Sequence, residues 1–329
     1  MSAEADKWDK KQLARGASFL QSAAWAEFQE SLGSQPHMLQ GRGWTCLALL
    51  KRNRLGSYLF APYGPILDSP EALADCLTQL ASQARSLGAD WIKFEPIILK
   101  GNLSDLLKEL PAAGAVKAGR NLEPALTRIL DISPTPDELL ATISQSTRSM
   151  IRKNQRENIL TFKTSTNPDD IKIFISMLDV VANRRGIGFF PPSYFIDQAK
   201  LLMPAKMMFL ELAYSGRQPV AAAVMHDYGP IGSYTYAASL PAARKQSASA
   251  LLLWQAILNA QTRGIKQMDL YGIAPDDAPP SHPWYGFSTY KRKFGGQVVE
   301  LAGTWDLPLT KRYRLYRTGQ RLNSILKHR

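Results

Sequence analysis

One succession of local signals occurs twice along this chain: strand-like runs joined by tight turns, a helix stopped by glycine, then a further strand. In the first half, residues 44–50 follow the turn Gly41-Arg42-Gly43, and residues 57–61 follow Leu55-Gly56. Both are apolar runs bounded by turn residues, as strands are. Ser69-Pro70-Glu71 then offers a cap residue, a proline for the first helical position and an acid for the first turn. Leu73, Leu77, Leu80 and Leu87 recur at helical spacing, and Gly88 stops the helix. Residues 89–96 read as a strand that must end at Pro96.

The second half repeats the order. Residues 207–214 and 219–226 flank Ser215-Gly216-Arg217, as a hairpin does. The turn Asp227-Tyr228-Gly229-Pro230 leads to a strand over 231–237. An apolar helix over 248–262 carries Leu253, Ile257 and Ala260 on one stripe, and Gly264 stops it before a strand over 265–271. Asn167-Pro168-Asp169 opens a helix running to Gly186. Thr135-Pro136-Asp137-Glu138 opens another, which turns basic at Arg148, Arg152, Lys153 and Arg156. The pattern predicts two similar α/β domains, each a mixed sheet flanked by helices, dividing near that basic helix. Identity between the halves is slight, so what repeats is the pattern of elements alone.

Size agrees with this division: at roughly 150 residues per domain, 329 residues make about two. With 45% hydrophobic and 21% charged residues, the composition excludes a disordered chain, a collagen-like fibre and a coiled coil. Cys46 and Cys76 form no CxxC pair, which argues against a disulfide framework or a structural zinc site. His37, His226, His282 and His328 show no metal-ligand spacing, so no metal and no cofactor is expected. No run approaches the ~18 apolar residues of a membrane span, and the N-terminal stretch lacks the apolar core of a signal peptide, so a cytoplasmic protein is expected. A net charge of +12 suits phosphate-rich partners such as nucleic acid, nucleotide diphosphates or anionic lipid, or serves solubility alone. The chain has no GxSxG elbow and no P-loop, and both cysteines sit in apolar settings, so nucleophilic catalysis is not indicated. What remains is chemistry by positioning and charge stabilisation.

Two segments fit that chemistry. Pro241–Ala250 places small residues at a helix start beside Arg244 and Lys245, with Ser247 and Ser249 following. Accessible backbone N–H groups there suit a phosphate or an acyl donor; an ordinary serine-capped helix is the other reading. In residues 282–296, aromatics alternate with cations and glycines bound the stretch. It reads either as a site or as a solvated basic loop packed by its aromatics.

The motifs Gln21-Ser22-Ala23-Ala24-Trp25, Ala61-Pro62-Tyr63-Gly64-Pro65, Lys93-Phe94-Glu95-Pro96, Tyr234-Thr235-Tyr236-Ala237, Asp269-Leu270-Tyr271-Gly272-Ile273 and Tyr290-Lys291-Arg292-Lys293-Phe294-Gly295-Gly296 occur in this order. A further motif, residues 124–131, falls among them. Together they resemble the FemABX family of peptidoglycan peptidyltransferases, over nearly the whole chain. The last motif is similar to the family's Phe-Lys-x-x-Phe-Gly pattern. The resemblance implies an α/β (α+β) fold of tandem GNAT (acyl-CoA N-acyltransferase-like) domains, with mainly antiparallel sheets. The first would hold residues 1–147 plus a C-terminal return over 307–329, the second 148–306. It implies an aminoacyltransferase that moves an amino acid from aminoacyl-tRNA to an amine of a lipid-linked or UDP-linked muramyl peptide precursor. Residues 169–205 are too few for the long helical hairpin of several members, so the chain resembles the armless ones.

By the same resemblance, Lys291 stands near the reacting groups as the catalytic cation. Trp25, Gln29, Tyr63, Glu95, Phe190, Tyr194, Tyr236 and Tyr290 stand at the implied substrate-binding positions, and at the helix start read above Arg244, Lys245, Ser247 and Ser249 would receive the donor. Two positions depart from the UDP-binding members: Phe190 stands where those carry arginine, and Gln29 where they carry lysine. Both family residues are associated with precursor phosphates, so a lipid-linked acceptor gains. The basic, Tyr- and Leu-bearing segment 311–317, continued by Arg321, Lys327 and Arg329, reads as a last helix. It would lie on the anionic inner face of the membrane, touch tRNA phosphates, or pack on the first domain. An acyl-CoA or carrier-dependent transferase of the same fold, and a non-catalytic RNA- or membrane-binding relative, are the alternatives.

Overall fold

The computed structural model describes residues 3–54, 56–185 and 188–327, without the side chains of residues 184, 185, 242, 244 and 321–327. Two compact units emerge: Met1–Ala125 with Glu300–Arg329, and Leu126–Val299.

Along the first unit run α1 (Ala3–Ala14), α2 (Ala23–Ser31), β1 (Gln35–Gly41), β2 (Trp44–Asn53), β3 (Gly56–Ala61), β4 (Ile66–Leu67), α3 (Ala72–Ser86), β5 (Trp91–Phe94), β6 (Ile97–Ile98), α4 (Leu103–Ala112) and β7 (Val116–Lys117). The second unit follows with β8 (Leu126–Asp131), α5 (Pro136–Thr142), α6 (Gln145–Glu157), β9 (Thr161–Ser165), α7 (Ile171–Arg185), α8 (Pro192–Leu202), β10 (Met208–Ser215), β11 (Gln218–Tyr228), β12 (Ile231–Ser239), α9 (Ala248–Thr262), β13 (Gln267–Gly272), α10 (Tyr285–Arg292) and β14 (Gln297–Glu300). The chain then returns to the first unit as β15 (Trp305–Pro308) and α11 (Arg312–Lys327).

Each unit is built on one sheet, and the predicted repeat is its organising pattern. In the first, β2 pairs antiparallel with β1, β3 and β4, while β3 lies parallel to β5 after the crossover through α3. In the second, the order is β14-β8-β13-β12-β11-β10-β9, and β12 lies parallel to β13 after the crossover through α9. Both sheets are thus mixed and mainly antiparallel, with one strand–helix–parallel strand unit set into each, as in GNAT domains. Strand faces pack on these helices. Leu73, Cys76, Leu77 and Leu80 of α3 join Trp44, Cys46 and Phe94 in one core, and Leu252, Leu253 and Ile257 of α9 join Ala221, Ala223 and Met268 in the other. The Ser215/Gln218 register closes the β10–β11 hairpin on Gly216, whose φ of +60° suits a residue without Cβ.

Local signals and structure differ at three places. The basic helix is two helices: α5, closed at its start by a capping box between Thr135 and Glu138, and α6, with Ile143 extended between them. Ser69 and Pro70 form a turn before α3, whose N-cap residue is Glu71. The boundary also moves. Residues 126–147, expected in the first domain, lie in the second unit, because β8 pairs with β13 (Met268↔Leu130). The other end shifts likewise, from 307 to Glu300.

An aromatic clamp ties the C-terminal helix to the first unit. Trp91 of β5 stacks with Tyr58, at 5.1 Å, and with Tyr316 of α11, at 4.4 Å between ring centroids. Below it Lys93 forms an ion pair with Asp306, and Tyr313 donates its hydroxyl to the second Asp306 oxygen at 3.0 Å. The pair is almost fully enclosed, with side-chain exposures of 4% and 0%. Removing one partner strands a buried charge, whereas replacing both by apolar groups does not. Asp306→Ala is therefore expected to destabilise the first unit by about 3–5 kcal/mol. The double variant Lys93→Met/Asp306→Leu should recover most of that loss. Urea unfolding monitored by tryptophan fluorescence reads both.

Candidate active site

The parallel pairing of β12 and β13 runs only from Ile231↔Gln267 to Ser233↔Asp269. Beyond that point β12 continues to Ser239 without a partner pair to β13 among the described residues. A cavity of about 500 Å³ opens there, lined by residues 234–239 of β12, Ser249 at the start of α9, and Gly286, Phe287, Tyr290 and Lys291 of α10. Leu178 and Val181 of α7 and Phe189 complete the wall.

Side chains of α10 are fixed to the segment that follows β13. Ser288 accepts from the Ala274 N–H at 2.8 Å, and Arg292 donates to the Ala274 carbonyl at 3.0 Å and pairs with Asp276 at 2.8 Å. Lys291, which is 6% exposed, donates from Nζ to the Gly272 carbonyl at 3.0 Å and lies 4.9 Å from the Phe287 ring centroid. Burial pulls its ammonium down to about 8, opposed by the negative charge of Asp269. The remainder of the motif is structural. Phe294 is a core residue, and Arg128 donates to the Gly295 and Gly296 carbonyls at 2.9 and 3.0 Å. At Gly296 the φ is +76° and a Cβ would stand 2.6 Å from the Ile129 carbonyl oxygen, so only glycine fits.

On the opposite wall the sequence forces a β-bulge. Val224 faces Tyr236 while Met225 faces Tyr234, leaving Thr235 as the extra residue. Thr235 donates its hydroxyl to the Val224 carbonyl at 3.0 Å, and buried His226 Nδ1 lies 2.9 Å from the same Thr235 oxygen. With that hydroxyl proton already engaged, His226 Nδ1 must carry the proton and donate. The bulge brings Tyr234, Thr235 and Tyr236 all to the cavity. Burial raises the Tyr234 hydroxyl well above its ordinary value and pushes Tyr290 up to about 12, so both remain neutral donors.

The structure brings some predicted site residues together. Lys291, Tyr236, Tyr290 and Ser249 line one cavity. Ser249 donates to Ser239 at 3.1 Å. Tyr236 packs edge-on to Phe195 at 5.3 Å and Phe190 at 6.5 Å, and Phe190 stacks on Tyr194 at 4.2 Å. Ser247 is the N-cap residue of α9 but makes no capping bond with its side chain, and its φ is +54°. Neither it nor exposed Lys245 lines the cavity; the side chain of Arg244 lies outside the described residues.

The remaining four belong to the first unit. Glu95, expected at an acceptor site, is 2% exposed and fully engaged: its oxygens accept from the Glu123 N–H at 2.8 Å, Thr304 Oγ1 at 2.6 Å and the Tyr63 N–H at 3.2 Å. Burial raises its carboxyl, and these donors oppose the rise. Its visible work is to hold the Tyr63 turn, where φ is +43°, against the segment ending at Pro124, whose carbonyl takes the Tyr63 hydroxyl at 2.8 Å. Trp25 packs in the core against Phe19 and Phe28. Gln29 is also buried, and its Oε1 accepts from Lys51 Nζ at 2.6 Å. A lysine ammonium thus does stand beside position 29, supplied by β2; burial draws it down to about 8. Sequence reasoning missed Lys51, Tyr234, Ser239 and Phe287. Two of these had a signal: Tyr234 in its spacing from Tyr236, and Phe287 in the aromatic and cationic stretch 282–296. A larger cavity of about 910 Å³, bordered by β8, α5 and α9, holds none of the predicted site residues. Among the described residues no cluster of metal-ligating side chains occurs, and no helix is long and apolar enough to cross a membrane.

Two mixed sheets, each with a strand–helix–parallel strand unit, one of them opening into a cavity with a buried lysine, define a tandem GNAT-type architecture. Residues 205–321 match the FemAB family model. The fold superposes on the crystal structure of FemX with a TM-score of 0.81, at 18% identity, covering 97% of this chain and 98% of that one. L-PGS from Bacillus licheniformis follows at 0.58 and 13% identity, covering 93% and 92%. A tandem GNAT protein from the clavulanic acid biosynthesis pathway gives 0.54 at 13%, covering 94% and 97%. No curated protein sequence matches the chain significantly. The family match spans the later part of the second unit and the C-terminal return, and the likeness to FemX, at 18% identity, is one of fold.

The buried imidazole yields a prediction. His226 is held near 3, against 6.5 unfolded. Between those values the unfolded chain binds a proton that the folded one refuses. Stability therefore falls as pH drops below 6.5, by about 1.4 kcal/mol per pH unit for this group. His226→Gln should flatten the pH dependence of unfolding free energy between pH 6.5 and 4 relative to the unsubstituted protein.

Proposed function

We propose that this protein is an aminoacyltransferase of cell-wall precursor synthesis, moving an amino acid from aminoacyl-tRNA to an amine on the stem peptide of a muramyl peptide precursor. The observation that carries this reading is the Lys291 ammonium in the wall of the second unit's cavity, facing tyrosine-bearing β12. Ester aminolysis by an amine is downhill and needs no enzyme-bound intermediate. The amine attacks the ester carbonyl, a tetrahedral oxyanion forms, and the ribose oxygen leaves with a proton. A fixed cation beside the developing oxyanion stabilises charge where water is excluded. Tyr234 on β12 and Tyr290 on α10, both kept neutral, add polar hydroxyls to the lining. The aromatic cluster of Phe190, Tyr194 and Tyr236 supplies apolar surface for the acceptor stem. The acceptor we favour is the lipid-linked precursor, because Phe190 offers no charge for precursor phosphates. Lys51 beside Gln29 leaves the corresponding argument in the first unit weaker. With the exposed cations Lys311, Arg312 and Arg314 beside Leu315, which is 69% exposed, α11 suits peripheral contact with an anionic membrane face.

The test is transfer of label from a pool of charged tRNAs to lipid-linked precursor by the purified protein. Ribonuclease should abolish it; label arriving instead from acyl-CoA would contradict the tRNA donor. Lys291→Ala is expected to lower the rate on the order of 100-fold or more. Because the working form is protonated, wild-type transfer should also decline as pH rises through about 8. A Lys291→Ala variant that transfers at the wild-type rate would refute the assigned role.

A further inference from the structure

We propose that Asp269 is the positioning residue of the site, acting on Lys291 through the bulge at the end of β13. Asp269 is the last residue of β13 paired to β12, and it faces Ile129 of β8 just before the β8–β13 register breaks. Pairing resumes only at Gly272, opposite Thr127. One carboxylate oxygen of Asp269 spans this break: it accepts the Thr127 hydroxyl from β8 and the Tyr271 N–H at 2.7 Å. Tyr271 is thereby held at φ +61°, a left-handed conformation that a bulky residue adopts only when its surroundings impose it. That turn presents the Gly272 carbonyl to Lys291 Nζ at 3.0 Å. The carboxylate thus fixes the anchor of the lysine and supplies the negative charge that favours its protonated form. The titratable groups that line the same cavity as Lys291 are Tyr234 and Tyr236 on β12 and Tyr290 on α10. The neighbouring cation Arg292 is already paired with Asp276.

This inference rests on the proposed role of Lys291, but its test needs no substrate. The Lys291 side chain is titrated by NMR in protein labelled with 13C at lysine Cε, its signal assigned by its loss in Lys291→Arg. Asp269→Asn keeps an acceptor for the Tyr271 N–H and removes the charge. The expected result is a midpoint lowered by on the order of one pH unit, the effect of losing a near opposite charge. Thr127→Val, which unties the carboxylate from β8, should move the midpoint in the same direction by less, with thermal melting little changed. Asp269→Glu should restore the charge and partly restore the midpoint. A midpoint unchanged in both Asp269→Asn and Thr127→Val overturns the proposal. Should Asp269→Asn fail to fold, Thr127→Val decides by the same criterion. Absence of transfer by the wild type would refute the functional reading alone, and the titration would still judge the positioning role.

Discussion

The short register between β12 and β13 is the constraint on which the second unit turns. Parallel strands joined by a crossover helix ordinarily stay paired along their length, each closing the other's edge. These two separate after Ser233 and Asp269. On β12 Thr235 bulges out of the pairing with β11, its hydroxyl bonded to the Val224 carbonyl beside His226, and on β13 the Asp269–Tyr271 turn redirects the chain. The cavity borders β12 beyond Ser233, and α10 is pinned beside it by Ser288, Lys291 and Arg292.

Burial gives the site its electrostatic character. A lysine in water at neutral pH is an ammonium with a complete hydration shell and little reason to favour one neighbour. At 6% exposure, Lys291 keeps one carbonyl and one nearby acid. Its remaining N–H donors are available to an oxyanion with little competing water, which is the setting in which a single donor is worth most. Glu95 in the first unit follows the opposite logic. Backbone N–H groups and the Thr304 hydroxyl engage both its oxygens, and it holds the Tyr63 turn.

The parts of the fold that were legible in the sequence are those set by local physics. The helix over 248–262 was readable because its apolar stripe is bounded by small residues and by Gly264, and the β10–β11 hairpin because Gly216 sits at its turn. Strands β8 and β15 acquire their identity from distant partners, β13 and β5, and nothing local announces that pairing. For that reason the domain boundary moved. At the site, Lys291 and Tyr236 were readable through motif resemblance. Lys51 reaching Gln29, and Thr127 reaching Asp269 from 142 residues away, are consequences of tertiary structure.

The most direct measurement is a structure of the protein bound to a 3′-aminoacyl adenosine analogue in which an amide replaces the labile ester. The account predicts that the amide carbonyl oxygen lies within hydrogen-bond distance of Lys291 Nζ, inside the cavity bordered by Tyr234, Tyr236 and Tyr290. An analogue seated elsewhere on the molecule, with Lys291 still bonded only to the Gly272 carbonyl, would contradict it.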